Sequence, residues 1–203
     1  MSAYQVRENT EVRRTQIVDA ARKIIVKYGS EHVTIKRIAS EVRISEANIY
    51  RHFKSKRQIL TLLVENMEEG LLADLATGAA DAGGTPIERL DKALRNQLTA
   101  VEQRRGVYFQ VIAEIVSFGD KRLNRKVTET IAKYVGLIKD ILVEAVKAGE
   151  VRGDINPQDA AELLFGAVQG LVNTWALSNY SFDLESKFLS LWDVYRKGIA
   201  GMT

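Results

Sequence analysis

The 203-residue sequence predicts an all-α protein of about nine helices, and three observations support this fold class. Apolar residues recur at intervals of three and four along most of the chain, which is the spacing of amphipathic helices. Alternating Val- and Ile-rich runs between turn pairs are missing, so strands have little support. Helix-start signals precede several periodic segments, most completely in Thr85-Pro86-Ile87-Glu88, where a cap, an N1 proline and an N3 glutamate follow in order.

Three helices are predicted near the N-terminus, followed by a long one. The first spans about residues 10–28. Thr34 is the expected N-cap of a short second helix, 35–42, and Ser45 that of a third. Ser55 opens the long helix. After a loop expected at residues 78–84, the remaining helices are predicted at about 86–103, 107–118, 121–148, 158–178 and 184–200.

Charge is distributed unevenly along the chain. The formal net charge is +3, but residues 1–60 contain 13 Lys and Arg against 6 Asp and Glu, whereas residues 61–203 contain 16 against 20. A basic N-terminal part favours an anionic partner such as nucleic acid, with chance scatter of surface charge as the alternative.

Composition excludes several kinds of site. The absence of cysteine excludes disulfides, a catalytic thiol and a cysteine zinc site, and two histidines twenty residues apart predict no metal. No apolar run predicts a transmembrane helix and no secretory signal is found, so we expect a cytoplasmic protein without a membrane partner. A nucleophile elbow, a P-loop and a Rossmann glycine pattern are missing too, which predicts neither enzyme nor cofactor.

The second and third predicted helices have the three-residue separation of a helix-turn-helix. Their inner faces are apolar, comprising Ile35, Ile38, Ala39, Val42, Ile49 and Phe53. The outer face of the third helix would present side chains that suit base edges and phosphates, namely Ser45, Glu46, Ala47, Asn48, Tyr50, Arg51 and His52. A packed pair in a purely structural bundle is the alternative.

The segment from Val33 to Leu60 resembles the DNA-binding signature of the TetR family of repressors, most specifically in Ile49-Tyr50-x-His52-Phe53-x-x-Lys56. The resemblance implies a three-helix DNA-binding domain at 1–54 and a larger helical effector-binding and dimerisation domain at 55–203. It implies that residues 45–52 enter the major groove. It also implies phosphate contacts by Tyr50 and Lys56, His52 beside the backbone, and Thr34 and Lys36 facing phosphate.

Two departures from the family pattern concern the turn and the recognition helix. Arg43 stands where many members have glycine, so the turn either avoids a positive φ or is strained. Ala47 and Asn48 replace a common Gly and Thr, so no operator sequence carries over.

Alternatives remain open for the other site residues. Tyr50 could instead be a partly buried anchor, and His52 could simply pack or cap. Lys54, Lys56 and Arg57 could form an ordinary solvated surface.

The resemblance also implies an effector pocket among the central helices and a homodimer interface on the last two. Pocket candidates are Tyr108, Ile112, Tyr134 and Gln169, each with ordinary core packing as its alternative. The ligand would be an unidentified hydrophobic or amphipathic small molecule. Interface candidates are Leu164, Val168, Leu171, Trp175, Leu191 and Tyr195.

We therefore expect a homodimeric transcriptional regulator, a repressor that a small molecule releases from a palindromic double-stranded DNA operator. The alternative is a DNA-bound structural or cell-division factor of the same fold that needs no ligand.

Overall fold

The structure, a computed structural model, describes residues 3–79, 83–117 and 119–201. In these ranges the chain forms nine α-helices, one 3₁₀ turn at Ser30–His32, and no β-structure beyond a single bridge between Val151 and Ala200. The all-α prediction is confirmed. The helices are α1 (Ala3–Tyr28), α2 (Ile35–Val42), α3 (Glu46–His52), α4 (Lys56–Ala79), α5 (Pro86–Gln103), α6 (Val107–Ser117), α7 (Lys121–Lys147), α8 (Pro157–Leu177) and α9 (Leu184–Ile199).

Two compact units make up the chain, and the division between them falls inside α4, α6 and α7. The first unit comprises Met1–Glu68 and Gln110–Thr128, and the second comprises Glu69–Phe109 and Glu129–Thr203. The first unit therefore combines the N-terminal helices with parts of α6 and α7. The domains predicted from the sequence, 1–54 and 55–203, do not group these segments.

The core of the first unit forms where α1, α2 and α3 pack against one another. Each helix contributes one apolar stripe at helical spacing, and burial of these stripes is the main force that holds the three helices together. The fully buried side chains include Ile17, Ala21, Ile24, Ile38, Ile49 and Phe53.

Side-chain caps fix three helix starts in the second unit, and the sequence predicts the one at Thr85. Thr85 and Glu88 form a reciprocal capping box with Pro86 in the first turn of α5. Asn156 caps α8 and Asp183 caps α9 through side-chain hydrogen bonds to backbone N–H groups. Helices α8 and α9 pack together.

Helix bounds differ from the predictions at two places. Helix α1 begins at Ala3, earlier than expected, and α4 continues to Ala79, through the first part of the predicted loop. The rest of that loop, residues 80–82, lies outside the described residues. None of the helices in the described ranges combines the length and apolarity needed to cross a membrane.

Candidate nucleic-acid interface

Helices α2 and α3 form a pair whose starts are fixed by side-chain caps. The Thr34 hydroxyl accepts a hydrogen bond from the backbone N–H of Arg37 at 3.1 Å. The Ser45 hydroxyl accepts one from the backbone N–H of Asn48 at 3.2 Å. Ile49 turns the apolar side of α3 inward and is fully buried. The caps and this anchor hold α3 in one orientation, which is what a helix-turn-helix requires.

The turn between α2 and α3 is strained at Arg43. This residue has φ 59° and ψ 45°, in the left-handed region that favours glycine. The turn is closed by the Ile44 N–H, which donates to the carbonyl oxygen of Ala39 at 2.9 Å. Of the two outcomes expected for Arg43, the structure has the strained one.

The outer face of α3 is exposed, with Ser45, Glu46, Ala47, Tyr50 and Arg51 in solvent and Asn48 half-buried. Tyr50 is 54% exposed, which argues against its alternative role as a buried anchor. A phenol and a guanidinium are therefore accessible on α3 and an amide is partly so, and these groups suit phosphate oxygens and base edges.

His52 is half-buried and has a structural contact. Its carbonyl oxygen accepts a hydrogen bond from Arg14 Nη1 at 2.8 Å. Its Nδ1 is buried and has no hydrogen-bond partner in the described part of the chain. Burial lowers the pKa of His52, and three neighbouring arginines lower it further, which favours the neutral imidazole. These contacts favour the packing alternative for His52.

Lys56 is the first residue of α4, and its side chain reaches back to the residue before the α2 cap. Its ammonium donates a hydrogen bond to the carbonyl oxygen of Val33 at 2.8 Å, and burial lowers its pKa. Lys56 therefore helps to position α2, and it is not the fully solvated cation of the alternative reading. Thr34 and Lys36 are both exposed beside this bond, at the first turn of α2.

Arginine side chains make cation–aromatic contacts that support this site and that the sequence does not predict. The Arg14 guanidinium lies 4.4 Å from the centre of the Phe53 ring, and the Arg37 guanidinium lies 3.8 Å from that of Tyr28. Hydrogen bonds from Lys27 and then Arg37 lower the pKa of the Tyr28 hydroxyl. The only signal in the sequence was the general excess of basic residues.

Among the four pocket candidates, Tyr134 and Gln169 each bury a polar atom inside the second unit. The buried Tyr134 hydroxyl donates to Oε1 of Gln97, and its ring lies 5.5 Å from that of Phe165. Burial raises the pKa of Tyr134. Within the described residues, Gln97 Nε2 and Gln169 Oε1 are buried without a hydrogen-bond partner. Gln97 was missed, because a glutamine on an apolar face gives no distinctive pattern.

The other two pocket candidates have different surroundings. Tyr108 is half-buried, with the Arg104 guanidinium 5.0 Å from its ring centre, and Arg104 is ion-paired with Asp74. Ile112 is buried and belongs to the first unit.

The six interface candidates are mostly covered within the single chain. Leu164, Val168, Trp175 and Tyr195 are buried, and Leu171 and Leu191 are half-buried. One of them joins α8 to α9 directly, because the Tyr195 hydroxyl donates a hydrogen bond to the Ala160 carbonyl oxygen at 3.0 Å. The exposed large apolar residues on the same helices are Leu163, Leu177, Leu189 and Val194.

No group of three potential metal ligands is found among the described residues. An exposed polar helix that is capped by Ser45 and anchored by buried Ile49, in a three-helix arrangement with an excess of basic residues, defines a helix-turn-helix DNA-binding protein.

Family comparison gives the same class and extends it over most of the chain. The family described as "Bacterial regulatory proteins, tetR family" matches residues 17–63, and "YsiA-like protein, C-terminal region" matches residues 77–196. The chain belongs to the TetR family of transcriptional regulators.

Individual relatives cover nearly the full length. The chain is 26% identical to the fatty acid metabolism regulator protein of Bacillus subtilis (strain 168), over 91% of this chain and 94% of the relative. It is also 26% identical to nucleoid occlusion factor SlmA of Photobacterium profundum, over 90% and 93%. The crystal structure of FadR from Bacillus subtilis in complex with stearoyl-CoA superposes with a TM-score of 0.76 at 22% identity, covering 91% and 98%.

Proposed function

We propose that the protein is a homodimeric repressor that is released from a palindromic operator by an amphipathic acyl compound. The observation that carries DNA binding is the exposed polar face of α3, held by the Ser45 cap and by buried Ile49. A two-fold dimer would place two such helices roughly 34–36 Å apart, in successive major grooves.

The ligand class rests on chemistry inside the second unit. Tyr134, Gln97 and Gln169 supply a few buried polar groups, and their helices are otherwise apolar on the inner side. Such surroundings suit a ligand with a long apolar part and a small polar part. Similarity to a fatty acid metabolism regulator points in the same direction. Release requires that the ligand bind the non-DNA-binding state more tightly, since equal affinity for both states shifts nothing.

The exposed apolar residues of α8 and α9 support a dimer interface. Leu163 is 65% exposed, Leu177 85% and Val194 72%. Gly166 and Gly170 lie between the two leucines and have open space around them, which permits close approach of a second helix. We assign the contact surface to these residues, with the six residues predicted from the sequence packed mainly beneath it.

DNA binding is tested on the DNA upstream of the protein's own gene. Nuclease protection should reveal two half-sites about one helical turn apart. The double substitution Arg51→Ala with Lys36→Ala should abolish this protection. Lys147→Ala with Arg152→Ala, which removes two exposed cations of the second unit, is the matched control and should leave protection unchanged. Stearoyl-CoA should release the DNA. Protection that survives the Arg51 and Lys36 changes would contradict the assignment of α3.

A ligand-independent DNA-bound factor is the second candidate, favoured by the similarity to a nucleoid occlusion factor. Chromatin immunoprecipitation separates the two functions. A repressor should occupy a few promoters, whereas the alternative predicts many dispersed sites and no release by acyl compounds.

A further inference from the structure

A patch of three cations lies at the start of α7, outside the helix-turn-helix. Lys121, Arg122 and Arg125 are all exposed. None forms an ion pair with a carboxylate in the described part of the chain. We call these three residues the α7 patch.

The α7 patch belongs to the same compact unit as α2 and α3. Asp120, directly before it, accepts a hydrogen bond from Arg57 Nε at 2.6 Å, and Arg57 lies in the first turn of α4. One turn after the patch begins, Lys126 forms an ion pair with Glu68 of α4 at 3.0 Å. Two ion pairs therefore hold the start of α7 against the helix that follows the recognition helix.

The patch does not serve the stability of α7. Positive side chains in the first turn oppose the helix dipole, and Lys121 and Arg125 are like charges at positions i and i+4. Asp120 is the one acidic group at this helix start, and its carboxylate is engaged with Arg57 and with the backbone N–H groups of Arg122 and Leu123. Three exposed cations in an unfavourable position are best explained by an anionic partner.

We propose that Lys121, Arg122 and Arg125 bind backbone phosphates of the DNA beside the bases that α3 reads. The proposal rests on the proposed DNA-binding function and adds a contact outside the helix-turn-helix. DNA is favoured over other polyanions because the Arg57–Asp120 ion pair ties the patch to the first turn of α4, the helix that directly follows α3, in the unit that also carries Lys36, Arg51 and Tyr50. These contacts carry no sequence information, so they would strengthen binding to any duplex.

The test measures binding of the full-length protein to a random-sequence 30-base-pair duplex over a range of NaCl concentrations, with 30 chosen as about three helical turns. Each phosphate contact contributes roughly 0.9 to the slope of log affinity against log salt concentration. Replacing Lys121, Arg122 and Arg125 together by alanine should lower that slope by about 2 to 3 and weaken binding at least about tenfold at moderate salt.

The matched control replaces three exposed cations of the second unit, Lys147, Arg152 and Lys187, by alanine. It removes the same charge and should leave the slope unchanged. Circular dichroism checks that both triple variants fold, and a charge-retaining variant with Lys121→Arg, Arg122→Lys and Arg125→Lys should keep most of the slope.

Three outcomes would overturn the proposal. Equal weakening in both triple variants would indicate a general charge effect. An unchanged slope in the α7 variant would refute the patch contact. If binding is also lost in the Arg51→Ala and Lys36→Ala protein, the helix-turn-helix assignment stands. The patch would then serve another polyanion, such as an acidic protein. No DNA binding by the unaltered protein would refute the DNA-binding function itself.

Discussion

Replacing Arg43 by glycine should stabilise the first unit. A non-glycine residue in the left-handed region costs about 1–2 kcal/mol. Glycine in turn lowers the free energy of unfolding by about 0.5–1 kcal/mol, because it has greater conformational freedom in the unfolded chain. With φ at 59°, Arg43→Gly should therefore gain about 0.5–1 kcal/mol. Arg43→Ala keeps the Cβ atom and should gain nothing, so the difference between the two variants isolates the backbone strain from the loss of charge.

Hydrogen exchange is the suitable assay, because both tryptophans, Trp175 and Trp192, belong to the second unit. The Ile44 N–H, which closes the turn onto the Ala39 carbonyl, should exchange about two to five times more slowly in Arg43→Gly. Glu41→Gly, in the regular helix just before, should accelerate exchange instead.

Two results would refute this reasoning. One is faster exchange in Arg43→Gly than in the unaltered protein. The other is equal exchange in the glycine and alanine variants, because strain at Arg43 predicts a difference between them.

Three further predictions concern pH, the buried polar pair and the dimer surface. The pKa of His52 in the folded protein lies below its ordinary value of 6.5. As the pH falls through that ordinary value, the unfolded chain therefore binds more protons than the folded protein does. Thermal stability of the first unit should fall as the pH drops from about 7.5 to about 5.5, and His52→Gln should remove part of that fall. Tyr134→Phe leaves the Gln97 carbonyl without its donor and should cost about 1–3 kcal/mol, measured by tryptophan fluorescence during urea unfolding. Leu163→Glu with Val194→Glu should yield monomers in analytical ultracentrifugation.

Controls for these variants come from comparable positions. Tyr180→Phe removes a hydroxyl whose hydrogen bond to the Arg105 carbonyl is long, at 3.5 Å, and should cost much less than Tyr134→Phe. Val116→Glu changes a similarly exposed apolar residue, 55% exposed, in the first unit and should leave the oligomeric state unchanged. A pH dependence identical in His52→Gln and the unaltered protein would contradict the role given to that imidazole.

Helix positions could be predicted from the sequence because their signals are local. The Thr34 and Ser45 caps lie where predicted, and so does the capping box of Thr85 and Glu88. Each cap depends on residues within four positions, so the sequence contains the whole arrangement. The exposed face of α3 follows from the same periodicity once Ile49 is placed inside.

Long-range arrangements could not be predicted. The bond from Lys56 to Val33 joins residues 23 positions apart, and the Arg57 contact with Asp120 joins residues 63 apart. No periodic pattern identifies such partners. The apolar pattern also cannot distinguish the inner face of α8, with Trp175, from an outer face such as that of Leu163, because both are apolar. Apolarity alone therefore does not choose between the six interface residues predicted from the sequence and the exposed apolar residues of the same helices.

The hydrogen bond between Lys56 and Val33 has a consequence for how DNA would be selected. The bond ties the first residue of α4 to Val33, which directly precedes the Thr34 cap of α2. The phosphate-binding candidate Lys56 therefore keeps a fixed separation from the candidates Thr34 and Lys36. A rigid separation fits only a duplex whose backbone strands have a matching spacing. Because groove width and bending stiffness vary with base sequence, the protein would discriminate among DNA sequences by their shape, at base pairs that no side chain touches.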